Sequence, residues 1–521
     1  MRAVSARLPL QIFERRNFGW RHTFPGIAPV EASRLNAENI QFGRLALRGG
    51  LVTGGAQAIR MVIQFVSVVV LARLLAPEDF GLVASVSPVV AFVGLFQNLG
   101  LQQAVVQRKE IGERELNHVF WISTLVGLIC TVVVIALSPA IALFYGDQRM
   151  TAIAIAAALP LLLGSLAALP LALMNRHLKF GQLALNDVYA AVVGLLVTAG
   201  AAYLGLGYWS LVIGPAASAA VALLAAWWAT RWMPGRPAFA IDRDIISFGA
   251  NLTGFNLVNF FSRNLDNVLI GKFSGPIQLG YYDRAYKLLL FPLQNITQPL
   301  SRVMIPLMSR IQEDKPRFRD IYMRTNWLLA AVTMPGIAAL TLAAEPTVSI
   351  LFGEKWLPVA PIFAWLGIAS LMQPVSSTTG WIFICQGETK TMFRWGIYSS
   401  LTTVLSFVVG LQWGAIGVAA AYAISGYVLR VPVLAWLLQR VGPVSATDFL
   451  YVQGLFLVSA LVAWICYRQL PEALIGSSDL LALASAICLN YGLALVFALA
   501  LRQPRKVLLE TLSKAISAIR R

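Results

Sequence analysis

The sequence predicts an all-α polytopic membrane protein: about 14 transmembrane helices, in two pseudo-symmetric six-helix lobes plus two C-terminal helices. Three observations carry this. Of 521 residues, 58% are hydrophobic and 12% charged, with a mean hydropathy of +0.70. A soluble domain cannot hide that much apolar surface. Apolar runs of the ~20 residues that cross a hydrocarbon core recur between short polar breaks. Lysine and arginine then fall on alternate sides of those runs.

Fourteen runs qualify as spans, near 48–71, 80–102, 118–138, 150–173, 182–204, 208–230, 246–270, 280–304, 325–344, 358–380, 392–411, 414–437, 449–467 and 479–501. None shows the apolar/polar alternation of a membrane β-strand, which excludes a β-barrel. With the N-terminus placed inside, 31 Lys and Arg residues lie on the inner side. Six lie outside (Arg73, Arg149, Lys272, Arg284, Lys355 and Arg468), and Arg60, Arg263, Lys287 and Arg430 remain at membrane depth. This positive-inside bias assigns both termini to the cytoplasm. It explains the net charge of +17 as topology and removes the case for a nucleic-acid partner.

The flanks follow from composition. Residues 1–44 lack a sustained apolar core, so they read as a cytoplasmic N-terminal extension and a candidate disordered segment rather than a signal peptide. The N-lobe is expected over 45–231, an inter-lobe linker over 232–245, the C-lobe over 246–437 and spans 13 and 14 within 438–501. In the tail 502–521, Leu508, Leu512, Ile516 and Ile519 share one helical face amid Lys and Arg. That suits a helix on the anionic inner leaflet, or a solvated tail helix. Cys130, Cys385, Cys466 and Cys488 are scattered without CxxC spacing, which suggests neither a disulfide frame nor a metal site.

A weak repeat organises the spans. At an offset of 199, Gly50 meets Gly249, Gly55 meets Gly254, Val69 meets Val268, Arg73 meets Lys272, Pro77 meets Pro276 and Gly81 meets Gly280. Spans 1 and 2 therefore correspond to spans 7 and 8. Six spans separate the copies, so both have the same orientation, as in parallel repeats that share a central site.

The repeat also pairs two polar stripes. Gln57, Arg60, Gln64 and Ser67 in span 1 are spaced 3, 4 and 3, on one helical face. Their counterparts in span 7 are Asn256, Asn259, Arg263 and Asp266. Polar stripes are disfavoured against lipid, so both are expected to face a protein interior or a wet cavity. Arg60 has no acidic partner within four residues and reads as a ligand-facing cation. Arg263 and Asp266 read either as a ligand site or as a pair that neutralises itself and holds helices together. Arg284 and Lys287, beside Asp283, suit a paired or snorkelling surface role or a cavity role. Arg430 and Glu345 read as anchors near helix ends, and Asp187 and Asp266 are the candidates for an ion-coupling carboxylate.

The familiar catalytic motifs do not occur. There is no GxxxxGK(S/T) phosphate loop, no HExxH and no GxSxG, and His22, His118 and His177 are the three histidines. Loops are short. Transport is therefore favoured over catalysis, with no cofactor and no metal expected.

The stretch SRNLDNVLIGKFSGPIQLGYYDRAYKLLLFPLQNITQPLSRVMIPLMSRIQEDKPRFRDIY, 262–322, resembles the polysaccharide-exporting branch of the multidrug/oligosaccharidyl-lipid/polysaccharide flippase superfamily. It looks most like Wzx-like lipopolysaccharide biosynthesis proteins of the colanic-acid-exporter type. The segment VVLARLLAPEDFGLVA, 68–84, is similar to the opening hairpin shared across that superfamily. The likeness covers about 45–500. It implies a bacterial inner-membrane flippase moving an undecaprenyl-diphosphate-linked oligosaccharide by alternating access between two lobes. Implied partners are that lipid-linked oligosaccharide, membrane lipids, and polymerase and export machinery; an H⁺ or Na⁺ gradient or the membrane potential would drive it. The runner-up is a cation-coupled multidrug or small-solute antiporter of the same superfamily. A membrane enzyme of polysaccharide assembly is disfavoured by the loop lengths.

The charge pattern makes the topology testable. In a cysteine-free background, Gln312→Cys and Gly387→Cys should be shielded from a membrane-impermeant maleimide in intact cells, while Gly275→Cys and Glu354→Cys react. Labelling at residue 312 from outside would overturn the fourteen-span topology.

Overall fold

In a computed structural model of the chain, the described residues are 53–97, 102, 105, 106, 108, 110–237, 243–469, 471 and 478–519. For 243–259, 261–263, 290–294 and several residues of the last helix, the description is of the backbone alone. The expected N-terminal extension lies outside the described residues.

The described residues form helices in chain order, with no strand among them. They are α1 Thr53–Leu74, α2 Pro77–Gln97, α3 Glu113–Tyr145, α4 Arg149–Arg176, α5 Phe180–Tyr203 and α6 Gly207–Thr230. Then come α7 Arg243–Ser309, α8 Lys315–Leu342, α9 Ala344–Phe352, α10 Val359–Cys385 and α11 Thr389–Val441. Last are α12 Ala446–Arg468, α13 Asp479–Ala500 and α14 Arg502–Ile519. Eleven of these are long and apolar enough to cross a membrane, so the count of fourteen crossings is not established by length and apolarity alone.

Two of the described helices contain an internal break. α7 runs for 67 residues but breaks at Gly275, with φ 83° and ψ 172°. The Tyr282 hydroxyl lies 2.9 Å from Asp266 Oδ2. Sixteen residues of unbroken helix would hold these groups ~24 Å apart, so the chain must reverse at Gly275. A positive φ suits glycine, which has no Cβ to clash there. The two arms of α7 thus form a hairpin matching expected spans 7 and 8. α11 likewise folds at a short 3₁₀ turn, Leu411–Trp413, where Gly410 and Gly417 meet backbone to backbone.

Other boundaries shift for local reasons. α8 begins at Lys315, ten residues before the expected span, because the Asp314 side chain accepts a hydrogen bond from the Arg317 amide and caps it. α10 is interrupted at Leu371–Met372, ahead of Pro374. α14 is a helix, as expected of the tail. Of its apolar face, Leu508 is half-buried and the side chains of Leu512, Ile516 and Ile519 lie outside the description.

α2 packs along the α7 hairpin, and the repeat explains how. A Cβ on Gly81 would overlap the carbonyl of Pro276, and a Cβ on Gly280 would overlap the carbonyl of Pro77. Each glycine of one repeat therefore touches the proline of the other, the reciprocal pattern of a two-fold contact. Both prolines sit just after the turn between a helix and its successor. From this crossing the contact runs inward to the Phe92–Phe260 ring pair, 5.7 Å between centroids. That lies ~22 Å from Pro77 at the helical rise.

Gly81→Ala and Gly280→Ala should each lower the melting temperature of the purified protein, with overpacking of a tight crossing costing about 1–3 kcal/mol. Gly380→Ala, where a Cβ meets open space, should leave it unchanged or raise it. Equal melting of all three variants would show that the crossing tolerates a wider spacing.

Candidate functional site

Across α1–α6, charged side chains are confined to the helix ends with two exceptions, Arg60 on α1 and Asp187 on α5. The fold brings these two together: Arg60 Nη1 lies 3.4 Å from Asp187 Oδ2. Asp187 is seven residues into α5, ~10 Å inside its start, and Arg60 lies seven residues beyond the first described residue of α1. The two side chains remain 52% and 56% exposed, which keeps the pair open to what surrounds it. Gln57 and Gln64, on the same stripe, are exposed too.

This corrects the reading of Arg60 as an unpaired cation. Its partner comes from another helix, 127 positions away. The residue expected to receive a ligand and one expected to serve ion coupling are thus brought into contact.

The second stripe resolves differently. Asp266 is buried and accepts hydrogen bonds from the Tyr282 hydroxyl and the Asn267 amide, both at 2.9 Å. Tyr282 stacks in turn on Tyr286. The side chains of Asn256, Asn259 and Arg263 lie outside the description, so the expected Arg263–Asp266 pair is not among the contacts shown. Further along the second arm of α7, Asp283 takes Arg284 at 2.6 Å and Lys287 at 2.9 Å. The Arg284 guanidinium also stacks over Phe80 of α2, 4.1 Å from the ring centroid. Asp283 and Arg284 are buried and Lys287 is half-exposed. Lys287 is therefore a paired cation, with Asp283 as its anchor.

Where α1, α2 and α7 turn, cations close the gap between the repeats. Helix ends leave their last carbonyls without intrahelical partners. Arg73, at the end of α1, donates to two such carbonyls on α9, Ile350 at 2.5 Å and Leu351 at 3.3 Å. Lys272, its repeat counterpart, donates to the carbonyl of Phe144 at the end of α3 and lies over the Phe144 ring. The two donors correspond under the repeat, while their acceptors do not. The 3₁₀ turn after α9, Glu354–Trp356, answers through Lys355, which donates to the carbonyls of Arg73 and Leu75, and through Trp356, which donates to that of Ala72. Burial pushes the Lys355 ammonium below the ordinary lysine range, against the opposing pull of Asp79. Trp356 is fully buried, edge-on to Phe80, Tyr281 and Phe352.

Sequence reasoning missed Tyr282 and Trp356, which carry no motif. The Arg73–Lys272 equivalence was the available signal for the closure. Arg430 also departs from its expected anchoring role. It is buried at the end of a π-helical turn, Gly426–Arg430, donating to Thr403 Oγ1 and the Tyr422 carbonyl and lying over the Tyr422 ring. Beside it, the two arms of α11 enclose an apolar groove of about 720 Å³ that includes Leu405, Trp413 and Val428.

Comparison with known proteins places this architecture. A family model described as polysaccharide biosynthesis protein matches residues 70–361, more than half the chain. The chain is 26% identical over 413 residues to the teichuronic acid biosynthesis protein TuaB of Bacillus subtilis (strain 168), covering 78% of this chain and 85% of TuaB. It is 24% identical to the lipopolysaccharide biosynthesis protein WzxC of Escherichia coli (strain K12), covering 73% and 79% of the two chains. Its fold is similar to that of the lipid II flippase MurJ in an inward closed conformation, with a TM-score of 0.67 at 15% identity over 86% of this chain and 98% of MurJ. That last likeness is one of fold alone.

If the cation-to-carbonyl contacts hold the closure, Arg73→Gln/Lys272→Gln should expose Ser85, which is buried at the crossing beside Gly271. In a background lacking Cys130, Cys385, Cys466 and Cys488, the maleimide labelling rate of Ser85→Cys should rise severalfold in the double variant. An unchanged rate would assign the closure to packing alone.

Proposed function

Because the chain belongs to the polysaccharide biosynthesis protein family, we propose that it is a flippase for lipid-linked oligosaccharide repeat units. The cargo is an undecaprenyl-diphosphate-linked oligosaccharide destined for exopolysaccharide, capsule or O-antigen, moved by alternating access. The observation that carries the proposal is the contrast between the two ends of α1. At one end the repeats are locked by reciprocal cation-to-carbonyl contacts. Toward the other an open Arg60–Asp187 pair stands at membrane depth.

The cargo's chemistry explains the need for both. Sugars and a diphosphate cannot cross hydrocarbon unaided, and a guanidinium is suited to phosphate because its N–H groups match phosphate oxygens two at a time. The polyprenyl tail must stay in the bilayer, since at ~0.8 kcal/mol per buried CH₂ its extraction would cost tens of kcal/mol. The path must therefore open sideways between an N-lobe at 45–231 and a C-lobe at 246–437, joined by the linker 232–245. Arg60 is the proposed diphosphate receptor, and Gln57 and Gln64 on its stripe, with Arg263, Asn256 and Asn259 as the repeat's counterpart stripe, are the residues proposed to meet the cargo. Asp266, held by the Tyr282 hydroxyl and the Asn267 amide, and Lys287, paired with Asp283, complete the proposed set.

The chain is a multi-pass membrane protein. Its proposed place is the bacterial inner membrane, with both termini cytoplasmic. It acts as a transporter rather than an enzyme, and without a cofactor. Polymerase and export machinery would act downstream.

Export in a flippase-deleted strain, normalised to membrane protein level, tests the reading. Wild type should restore export. Arg60→Gln should lose it, and Arg60→Gln/Asp187→Asn, which strands no charge, should be as abundant as wild type yet still inactive. Near-normal export by the double variant would make the pair structural.

A further inference from the structure

A second polar cleft lies far from Arg60, where the start of α8 meets the tail helix α14. It encloses about 230 Å³, with Arg319, Asp320 and Arg324 on the α8 wall and Gln503 and Lys506 on the α14 wall. Buried Met323 and Trp327 form its floor. The charge pattern of the sequence assigns this end of both helices to the cytoplasmic face.

Its charges sort into those already answered and those left open. Arg319 is spent on Asp448 of α12, donating to both carboxylate oxygens at 2.7 and 2.5 Å. Arg324 donates to Glu510 of α14, and its Nε lies 2.8 Å from Asp320 Oδ2. Lys506 stands 3.9 Å from Glu510, a carboxylate that Arg324 already holds. Once each guanidinium is matched with Asp448 or Glu510, one cation and one anion remain, Lys506 with a side chain 71% exposed and Asp320 with one 59% exposed. They stand on opposite walls, and no ion pair joins them to each other. A bare anion gains little in such a cleft, because it meets Asp320 as well as Lys506. A ligand carrying both signs satisfies both walls.

We propose that this cleft binds the headgroup of a phosphatidylethanolamine, with its phosphate on Lys506 and Gln503 and its ammonium on Asp320. The inference is independent of the cargo proposed above. A primary ammonium donates charge-assisted hydrogen bonds to a carboxylate, whereas the trimethylammonium of a choline lipid has no N–H to give. A glycerol headgroup carries the phosphate without a cation and leaves its charge facing Asp320. The membrane is the source because hydrocarbon lies alongside: α13 leads directly into α14 and exposes Leu495, Val496 and Leu499, where acyl chains can rest. Because the headgroup touches both walls, it ties the tail helix to the bundle beside the Arg324–Glu510 contact.

The test is native mass spectrometry of the purified full chain, titrated with dioleoyl phosphatidylethanolamine, phosphatidylcholine or phosphatidylglycerol, or with soluble O-phosphoethanolamine. Wild type should bind the ethanolamine lipid about tenfold more tightly than either other lipid, the worth of one charge-assisted contact. Asp320→Asn should erase the preference over phosphatidylcholine, and Lys506→Gln should weaken ethanolamine-lipid binding about tenfold. Both side chains are exposed, so both variants should melt as wild type does without lipid. Equal wild-type affinity for the ethanolamine and choline lipids, or binding unchanged in both variants, would overturn the site and leave only the lipid that surrounds any membrane protein. Tighter binding of phosphatidylglycerol would overturn the zwitterion in favour of a plain anion site. O-phosphoethanolamine binding as tightly as the whole lipid would overturn the membrane source in favour of a soluble ligand.

Discussion

The fold hangs on one steric fact: α2 and the second arm of α7 cross with no side chain between their backbones. Gly81 rests on the Pro276 carbonyl and Gly280 on that of Pro77. At such an approach even a methyl group is excluded, so both helices are fixed in axial register as well as in distance. The surrounding closure depends on that register. Arg284 reaches the Phe80 ring, Trp356 reaches the end of α1, and Arg73 and Lys272 reach carbonyls across the interface only because the crossing sets the depth of each helix.

The chemistry of this closure suits a device that has to open. Its polar contacts join cations to helix-end carbonyls, groups that water can satisfy equally well when the repeats part. Little hydrogen bonding is lost on opening, since each carbonyl exchanges a cation for water. A buried ion pair would behave otherwise, because separating it strands two charges. Such pairs occur within one repeat instead, as with Asp283 and its two cations. Among the described residues, the Asp283 charge cluster thus stays within one repeat, and replaceable contacts lie between the repeats.

The bilayer imposes a second economy. Placing a charge at membrane depth costs on the order of 2.5–3.5 kcal/mol by insertion scales, and the first six helices carry only Arg60 and Asp187 there. Their meeting lowers the cost of both while leaving each half-exposed. In α7 the buried carboxylate of Asp266 is stabilised by a tyrosine hydroxyl and a backbone amide, neutral donors that hold it in place. Two stripes equivalent in sequence have therefore become an open charged pair in one repeat and a buried hydrogen-bonded carboxylate in the other.

The sequence by itself determined the membrane class, the positions of nearly all the helices, and the equivalence of the α1–α2 and α7 hairpins. These rest on short-range rules: apolar length set by bilayer thickness, cations excluded from the outer side, and glycine and proline recurring at a fixed offset. It also marked Arg60, Asp187 and Asp266 as costly residues needing a reason, because an intramembrane charge is anomalous wherever it sits. Only the tertiary structure decided what each one meets. Arg60 finds Asp187 on a helix more than a hundred residues away, and Asp266 finds Tyr282 because Gly275 reverses the chain, whereas Lys287 pairs with Asp283 one turn back on its own helix. Helical spacing reports neighbours within one helix, but a charge in the bilayer is neutralised by the nearest group in space, and helix packing decides which group that is.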